Sequence, residues 1–327
     1  MTRTQAWILT DGAAGNERQA LALATRLGLE AQTLCLHVRP PWSWFAPHLI
    51  PGGRLAWPAA ARAQLQAPWP DIAIGCGRSA ALATHIIGHL AKRHCYTIQI
   101  LDPRINPRHW DCVITPQHDR LYGPNVLSLL GSLHPIDTAW LTAARAAWIE
   151  LSTLPSPRIA VLLGGPRRGI PLDKLWQQAL CTGLRTRLQR DGGSLLISAS
   201  RRTPAGLVEA IAEAGVGFPL YIWRGSQDGS NPYPGFLAWS NLLVVSPDSV
   251  NMLSEAAATG VPVHTLITTP LPNKLAQFHQ ALAQRGLLRP LQAESIAPLQ
   301  PLRETERIAT LVAEKLRSRH TAQKTGA

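Results

Sequence analysis

Four times in this chain a short apolar run ends in a turn and passes directly into a segment with helical periodicity. Trp7-Ile8-Leu9 leads through Thr10-Asp11-Gly12-Ala13-Ala14-Gly15-Asn16 to Ala20, Leu23, Ala24 and Leu27; Asp71 to Gly75 leads through Cys76-Gly77-Arg78-Ser79 to Ala80, Ala83, Ile87 and Leu90. Arg158 to Leu163 enters the turn Gly164-Gly165-Pro166-Arg167-Arg168-Gly169, and Leu243-Val244-Val245 enters Pro247-Asp248-Ser249 before Met252, Leu253, Ala256 and Ala257. Apolar runs too short for helices, each followed by a helix, are strands buried on both faces and joined by crossovers. The repeated unit therefore specifies a doubly wound α/β architecture with parallel sheets.

At 327 residues the chain is longer than a single core usually grows, so two domains are expected. The clearest linker is Leu154-Pro155-Ser156-Pro157, after a helix over Asp137 to Leu151. It divides the chain into a first domain, 1–153, a second, 154–300, and a final segment, 301–327. In that segment an amphipathic helix from Glu304 to Leu316 precedes a basic tail, Arg317 to Ala327, expected to be disordered. Further strands are expected at Leu34 to Val38, Tyr96 to Leu101, Cys112 to Thr115, Ser194 to Ala199 and Gly217 to Trp223, with Pro290 to Pro301 as a polar crossing segment.

An excess of 32 Lys+Arg over 20 Asp+Glu, a net charge of +12, points to anionic partners. Most of these cations are arginines, which suit bidentate phosphate contacts, and they are dispersed without a nucleic-acid-binding signature, so no nucleic acid is expected. Cys35, Cys76, Cys95, Cys112 and Cys181 form no CxxC pair and read as reduced core residues of a cytosolic protein. No clustered ligands predict a metal site. The polar N-terminus is not a signal peptide, and no apolar run approaches the ~20 residues of a membrane helix, which implies a soluble or peripheral protein. Trp42, Trp44, Phe45, Trp57 and Trp69 lie among prolines between Arg39 and Trp69. That stretch is either a loop packed on the first domain or an amphipathic surface for an anionic membrane or a lipid-linked acceptor.

The stretch Val244 to His264 reads as strand, turn, helix and strand, the helix being stopped by Gly260-Val261-Pro262. Asp248 and Ser249 can cap its first turn, where free N–H groups favour an anion, and Glu255 sits placed to accept hydrogen bonds from hydroxyls. Phosphate and sugar hydroxyls together indicate a nucleotide. Capping signatures are common, so local spacing alone favours a plain cap with Glu255 as a solvated helix residue. The turn Gly164 to Gly169 lacks GxGxxG, and its arginines, Arg167 and Arg168, suit a pyrophosphate; Ser200-Arg201-Arg202-Thr203-Pro204 brings a second arginine pair to the same edge. Asp102, His118 and Asp119 follow strand ends, where open α/β sheets hold ligands, although turn capping is the commoner fate of such aspartates. Gly225 to Pro234 is a long polar loop suited to a lid or base recognition.

Several spaced motifs together resemble the mitochondrial-fission "elongated mitochondria" family over nearly the whole chain. They are Thr10-Asp11-Gly12 with Gly15-Asn16 and Gln19, Pro70-Asp71 through Gly77-Arg78, Ile98 to Arg104, Pro116-Gln117-His118-Asp119, Leu163 to Pro166, Ser200 to Pro204, and Asp248-Ser249 to Pro262-Val263. Bacterial members of that family are treated as glycosyltransferases and are similar in turn to GT-B enzymes such as the lipid-linked transferase of peptidoglycan synthesis. The resemblance implies two Rossmann-like domains with parallel sheets facing a cleft, the C-terminal helix crossing back to the first domain, and a nucleotide diphosphate sugar as donor substrate without a further cofactor or metal. It implies that Glu255 binds the donor ribose, that Ser249 and Ser254 with the helix N-terminus bind phosphates, and that Gly164-Gly165 allow the pyrophosphate to approach. Related Gly-rich N-terminal loops often end in His, where this one has Gly15-Asn16. Asn cannot act as a general base, which leaves Asp11, Asp102 and His118 in that order. Plant relatives are adaptors for fission machinery, so a non-catalytic membrane-surface adaptor is the alternative reading, and either role implies a cytoplasmic protein, peripheral at the inner membrane.

Overall fold

The computed structural model describes residues 4–92, 94–298 and 300–325. The chain forms two compact units, Met1–Pro135 with Glu304–Ala327, and Ile136–Arg303. In the first, β1 (Gln5–Thr10), α1 (Ala14–Arg26), β2 (Glu30–Cys35), α2 (Trp42–Phe45) and α3 (Ala59–Gln64) precede β3 (Ile72–Cys76), α4 (Arg78–Leu90), β4 (Tyr96–Ile100), β5 (Cys112–Pro116) and β6 (Val126–Leu129). All six strands are parallel, in the order β2-β1-β3-β4-β5-β6. Alternate residues supply opposite cores. Ile8, Ile74, Ile98 and Ile114 join Leu23 of α1 on one face, while Leu9 and Ala73 join Leu82, Ala83 and Ile87 of α4 on the other. That is the period-2 pattern of a sheet covered on both sides.

The second unit contains α5 (Thr138–Ala147), β7 (Arg158–Leu163), α6 (Lys174–Asp191), β8 (Ser194–Ala199), α7 (Leu207–Ala214), β9 (Leu220–Trp223) and α8 (Tyr233–Trp239). It continues through β10 (Leu242–Val245), α9 (Val250–Ala257), β11 (Val263–Thr265), α10 (Asn273–Gln284) and β12 (Arg289–Pro290). Its strands are also parallel, in the order β12-β11-β10-β7-β8-β9. The chain therefore winds outward from β7 in one direction and from β10 in the other. The point between β7 and β10, at the carboxyl ends of the strands, is where such a sheet holds ligands.

The expected linker at 154–157 is not where the units divide. Residues 136–153 group with the second unit because α5 packs on α8: Arg145 Nε donates to the Ala238 carbonyl at 2.9 Å and Trp239 Nε1 to that of Arg145 at 3.2 Å. Residues 301–303 also belong there, since Leu302 N–H bonds Ala257 O and Arg303 Nη1 bonds Ala258 O and Ile136 O. The chain then returns to the first unit as α11 (Glu304–Thr325). Where a disordered tail was expected from Arg317, this helix continues, with Leu316 against the core and the Arg319 guanidinium 5.2 Å over the Tyr96 ring. Residues 326 and 327 of that tail lie outside the described residues.

Three strands differ from expectation at the sheet edges. The second strand is β2, Glu30–Cys35 rather than 34–38, because it pairs in register with β1 from Gln5↔Glu30 to Thr10↔Cys35. It is largely exposed and so lacks an apolar signature. β6, only partly buried, and the two-residue β12 are edge strands without a fully buried apolar run. Cys76, Cys95 and Cys112 are buried as expected for core thiols, whereas Cys35 is exposed on β2.

The return of α11 rests on polar bonds as well as on Ile308, Ala309 and Val312 in the core. The buried Glu304 carboxylate accepts the Leu130 amide at 3.0 Å and Arg307 Nη2 at 2.5 Å. The Thr305 hydroxyl accepts the His134 amide and lies 2.8 Å from the His134 carbonyl, to which it donates. Glu304→Ala leaves the buried Leu130 N–H unpaired and is expected to destabilise the protein by about 1–3 kcal/mol. Urea unfolding reads it, and an unchanged midpoint refutes it.

Buried histidines set an acid limit on stability. His264 lies in β11 with its Nδ1 2.8 Å from the Pro290 carbonyl, which can only accept, and burial lowers its pKa from 6.5 to about 4. His279 and His85 are lowered by burial as well. The unfolded chain takes up the His264 proton near pH 6.5 and the folded chain only near 4. Stability is thus full above the upper value and is lost as the pH falls toward the lower one. The urea midpoint is expected to decline across that interval and to decline less in His264→Leu; equal slopes would exclude this histidine as a source.

Candidate functional site

At the β7–β10 switch point the organising group is Asp248, whose side chain has 0% exposure. Its Oδ1 accepts the Ser246 hydroxyl at 2.6 Å. Its Oδ2 accepts the Gly165 amide at 3.1 Å and Arg202 Nη2 at 3.3 Å. Ser246 Oγ in turn accepts the Gly164 amide at 2.8 Å, and the Asp248 carbonyl accepts Arg167 Nη1 at 2.9 Å. The loops after β7, β8 and β10 are thereby fastened to one carboxylate. Thr203 adds a second tie, its hydroxyl lying 2.8 Å from Gly164 O and 3.1 Å from Leu163 O while accepting the Ser200 amide.

The glycines of this turn answer to that packing. A Cβ on Gly164 would sit 2.3 Å from the Asp248 carboxylate oxygens, and one on Gly165 would sit 2.1 Å from the Arg202 carbonyl. Close approach of the neighbouring loops is enough to exclude a side chain at either position. Both amides are already engaged with Ser246 and Asp248, so outward contacts of the turn fall to the side chains around it. Arg167, Arg168 and Arg201 are exposed, and Arg202 is 57% exposed even while paired with Asp248.

Ser249, not Asp248, is the N-cap of α9, its Oγ accepting the Met252 amide at 3.3 Å. Ser254 is fully buried and donates to the Val250 carbonyl at 2.7 Å, the intrahelical bond of a hydroxyl folded back on its own helix. Glu255 is only 3% exposed, so it is not the solvated helix residue that spacing alone favours. Its Oε2 accepts the Tyr233 hydroxyl at 2.5 Å, which joins the start of α8 to α9. The polar loop between β9 and α8 folds on itself, with Arg224 N–H bonded to Asp228 and Trp223 Nε1 to Gly229 O.

In the first unit, Asp11, Asp102 and His118 follow β1, β4 and β5, and so share the carboxyl edge of one sheet. Asp11 Oδ1 accepts the Ala13 amide at 3.1 Å and Asn16 Nδ2 at 3.5 Å; Asp102 Oδ1 accepts the Arg104 amide at 2.7 Å. Both aspartates shape turns with one oxygen. His118 lies in a short 3-10 turn, Gln117–Asp119, where Asp119 Oδ2 is 3.5 Å from the Thr115 hydroxyl. Asn16 also packs against Gly77 at the β1–β3 switch, where an added Cβ would meet Nδ2 at 2.7 Å.

The Trp-rich stretch does not present its aromatics on one face. Trp57 is 1% exposed in the core beside α4, and Trp42 is half-buried there with Nε1 near Pro51 O. Burial takes Trp57 out of reach of a membrane surface; Trp44, 69% exposed, and Phe45, 50% exposed, project outward. Arg78, the first residue of α4, pins the backbone beneath them, Nη2 donating to Trp44 O at 2.7 Å and Nε to Ala46 O at 2.5 Å. Among the described residues no helix is long and apolar enough to cross a membrane, and no three His, Cys, Asp or Glu converge as a metal site.

Sequence reasoning gave Ser246 no place and Thr203 and Tyr233 no individual role within the turn and loop it singled out, and of the two caps it offered for α9 the structure uses Ser249, leaving Asp248 to tie the loops. The missed signal is positional: each lies at or just beyond the carboxyl end of a strand, or opens the following helix. Gln99 falls inside the motif Ile98 to Arg104 with no role assigned to it, although a lone amide in the apolar run Tyr96 to Ile100 is itself a signal. It has no exposed surface and donates to Gly77 O and Ile100 O, which fixes the turn after β3.

The fold has counterparts. An Acinetobacter baumannii MurG structure superposes with a TM-score of 0.53 at 12% identity, covering 95% of this chain and 99% of that one. UDP-GlcNAc 2-epimerase from Neisseria meningitidis, bound to UDP-GlcNAc, gives 0.52 at 11% identity over 96% and 100%, and Os79 from O. sativa, in complex with UDP, gives 0.51 at 13% over 93% and 89%. Two parallel six-stranded sheets with flanking helices thus form a GT-B-like α/β fold. In sequence, an uncharacterized protein of Rickettsia prowazekii (strain Madrid E) is 26% identical over 94% of this chain and 97% of that protein. Mitochondrial fission protein ELM1 of Arabidopsis thaliana is 33% identical over 295 residues, 79% of this chain and 67% of that protein. A family model described as mitochondrial fission ELM1 matches residues 14–316, so the chain belongs to the mitochondrial fission ELM1 family.

Proposed function

We propose that this protein is a GT-B-type glycosyltransferase that moves a sugar from a nucleoside diphosphate sugar to an acceptor hydroxyl. The carrying observation is the cluster of Arg167, Arg201 and Arg202 around a turn that buried Asp248 holds at the switch point beside the N-terminus of α9. Guanidinium groups and a helix N-terminus stabilise the charge of a departing diphosphate. Gly164 and Gly165 keep the turn low, Ser249 holds the first turn of α9 in place, and buried Ser254 supports the helix from within. Glu255, oriented by Tyr233, takes the ribose hydroxyls. Asp11, with Oδ2 unpartnered among the described residues, is the first candidate to accept the acceptor's proton, ahead of Asp102 and His118. Two fold neighbours hold UDP-GlcNAc and UDP, which makes uridine nucleotides the first donors to test.

The test is calorimetric titration of UDP, GDP, ADP and CMP. One nucleotide is expected to bind the wild type, with affinity lowered about tenfold by Arg202→Ala through loss of a charge-assisted contact. Glu255→Ala is expected to weaken it further and Tyr233→Phe less. If no nucleotide binds, or Glu255→Ala leaves binding untouched, the donor site is elsewhere.

A second reading draws on Trp44 and Phe45, exposed side by side above a backbone pinned by Arg78. On that reading the protein is an adaptor at an anionic membrane, cytoplasmic and peripheral at the inner face, and the same edge would serve a lipid-linked acceptor. Aromatic side chains with nearby cations suit a lipid interface. Flotation with anionic vesicles is expected to carry the wild type and to lose a Trp44→Ser, Phe45→Ser double variant. Equal flotation of the two removes this surface as the membrane contact.

A further inference from the structure

Of the five thiols, only Cys35 is exposed. Cys76, Cys95 and Cys112 are buried, which pushes the Cys95 and Cys112 thiols up to about 12 and the Cys76 thiol up as well. Cys181, half-buried on α6, is also raised by burial. Thiols so covered and so firmly protonated are inert. Cys35 differs in place and in company. It ends β2, an edge strand of the first sheet, and its Sγ lies 3.6 Å from His37 Nε2, within hydrogen-bond reach for sulfur. Strand alternation sets the pair up: Leu34 and Leu36 are buried, so Cys35 and His37 turn together to the opposite face, where both are exposed. The strand end is fixed, since Thr10↔Cys35 closes the register with β1 and Leu36 N–H bonds Thr10 O at 2.7 Å.

The pair lies against the turn that follows β1. A Cβ on Gly12 would sit 3.4 Å from Cys35 Sγ and 3.6 Å from His37 Cε1; its φ of +80° favours glycine, and the missing side chain leaves the thiol open on that side. A nucleophile with a base in reach and an open approach is equipped for attack on an electrophile. The class of electrophile follows from the amides beside it. Gly12 N–H is taken by Thr10 Oγ1 at 3.1 Å and Ala13 N–H by Asp11 Oδ1 at 3.1 Å, so neither is free to hold the oxyanion that attack on a carbonyl would create. Exchange at sulfur builds no charge on oxygen and needs no such donors; it needs a thiolate, an exposed approach and a place for the proton.

We propose that Cys35 is a thiol–disulfide exchange site with His37 as its base, taking up a low-molecular-weight thiol from the corresponding disulfide and so covering the Asp11-Gly12 turn. Cys35 Sγ attacks one sulfur of the disulfide as its proton passes to His37 Nε2. The new S–S bond forms as the old one breaks, and the departing thiolate takes the proton from the imidazolium. Cys35 is oxidised, half of the disulfide is reduced to free thiol, and excess thiol reverses the step. Closure of the acceptor side by the adduct rests on the glycosyltransferase reading, because Asp11 is its first candidate base; the exchange itself does not. The test treats the full chain with glutathione disulfide at pH 7 and follows intact mass and peptide masses. One glutathione per chain is expected, on Cys35, removed by dithiothreitol and absent from Cys35→Ser. His37→Ala is expected to slow the uptake about tenfold, with imidazole in the buffer restoring it and thermal unfolding confirming that the variant is folded. Hydrogen exchange at Gly12 and Ala13 is expected to change in the adduct. The exchange site is overturned if the wild type takes no glutathione or takes it equally on another cysteine. An unaltered rate in His37→Ala, or a loss that imidazole does not restore, removes His37 as the base, and identical hydrogen exchange in the two forms refutes the covering of the turn. None of these readouts uses a nucleotide, so failure here is distinct from failure of the donor-site reading.

Discussion

A carboxylate with no exposed surface has to be surrounded by donors, and Asp248 draws its donors from three separate loops. Removing a charge from water costs several kcal/mol unless its oxygens are well paired. Meeting that requirement brings the turns after β7, β8 and β10 within hydrogen-bond reach of one another. Side chains at Gly164 and Gly165 are excluded as a result, and Arg167 and Arg202 are drawn to the same place from different strands. The shape of the switch point thus follows from satisfying one buried group. Any anion recognised there meets arginines whose positions are set by the same network.

The first unit meets a different constraint. Its parallel sheet must be covered on both faces, and α1 leaves room on one of them that is filled by Ile308, Ala309 and Val312 from α11. That helix is reached only after the whole second unit has been completed, and Glu304 and Thr305 secure its start to Leu130 and His134. The first unit is consequently discontinuous in sequence. Its stability depends on contacts of long sequence separation, which must offset the entropy of closing the intervening chain.

Parallel central strands were legible because burial on both faces leaves a continuous apolar run, residues 159–163 within Arg158–Leu163 and 195–197 within Ser194–Ala199. Three of the four edge strands were not, since β2 is mostly exposed, β6 is only partly buried and β12 has two residues. Of the site, the arginine-bearing turns and the helix start at Ser249 could be read from glycine spacing and capping chemistry. The hydroxyl of Tyr233 on Glu255 could not, because it joins residues in different elements. The four aromatics between Trp42 and Trp57 looked equivalent in sequence, yet Trp57 is core and Trp44 is surface. Composition cannot separate them when short turns and prolines, not a helical period, set which way each ring points.

The amino-acid sequence by itself determined the architecture, two doubly wound parallel sheets, because the alternation of buried strand and amphipathic helix admits few other arrangements. Motif by motif it also indicated which family the chain belongs to. Tertiary structure alone decided where the units divide and what Asp248 does. It also decided which glycines yield to packing and which aromatics face outward. The physical reason is the same in each case. Periodicity is a local property carried by neighbouring residues, whereas burial and hydrogen-bond partnership are settled between residues tens to hundreds of positions apart, once the strands are laid side by side.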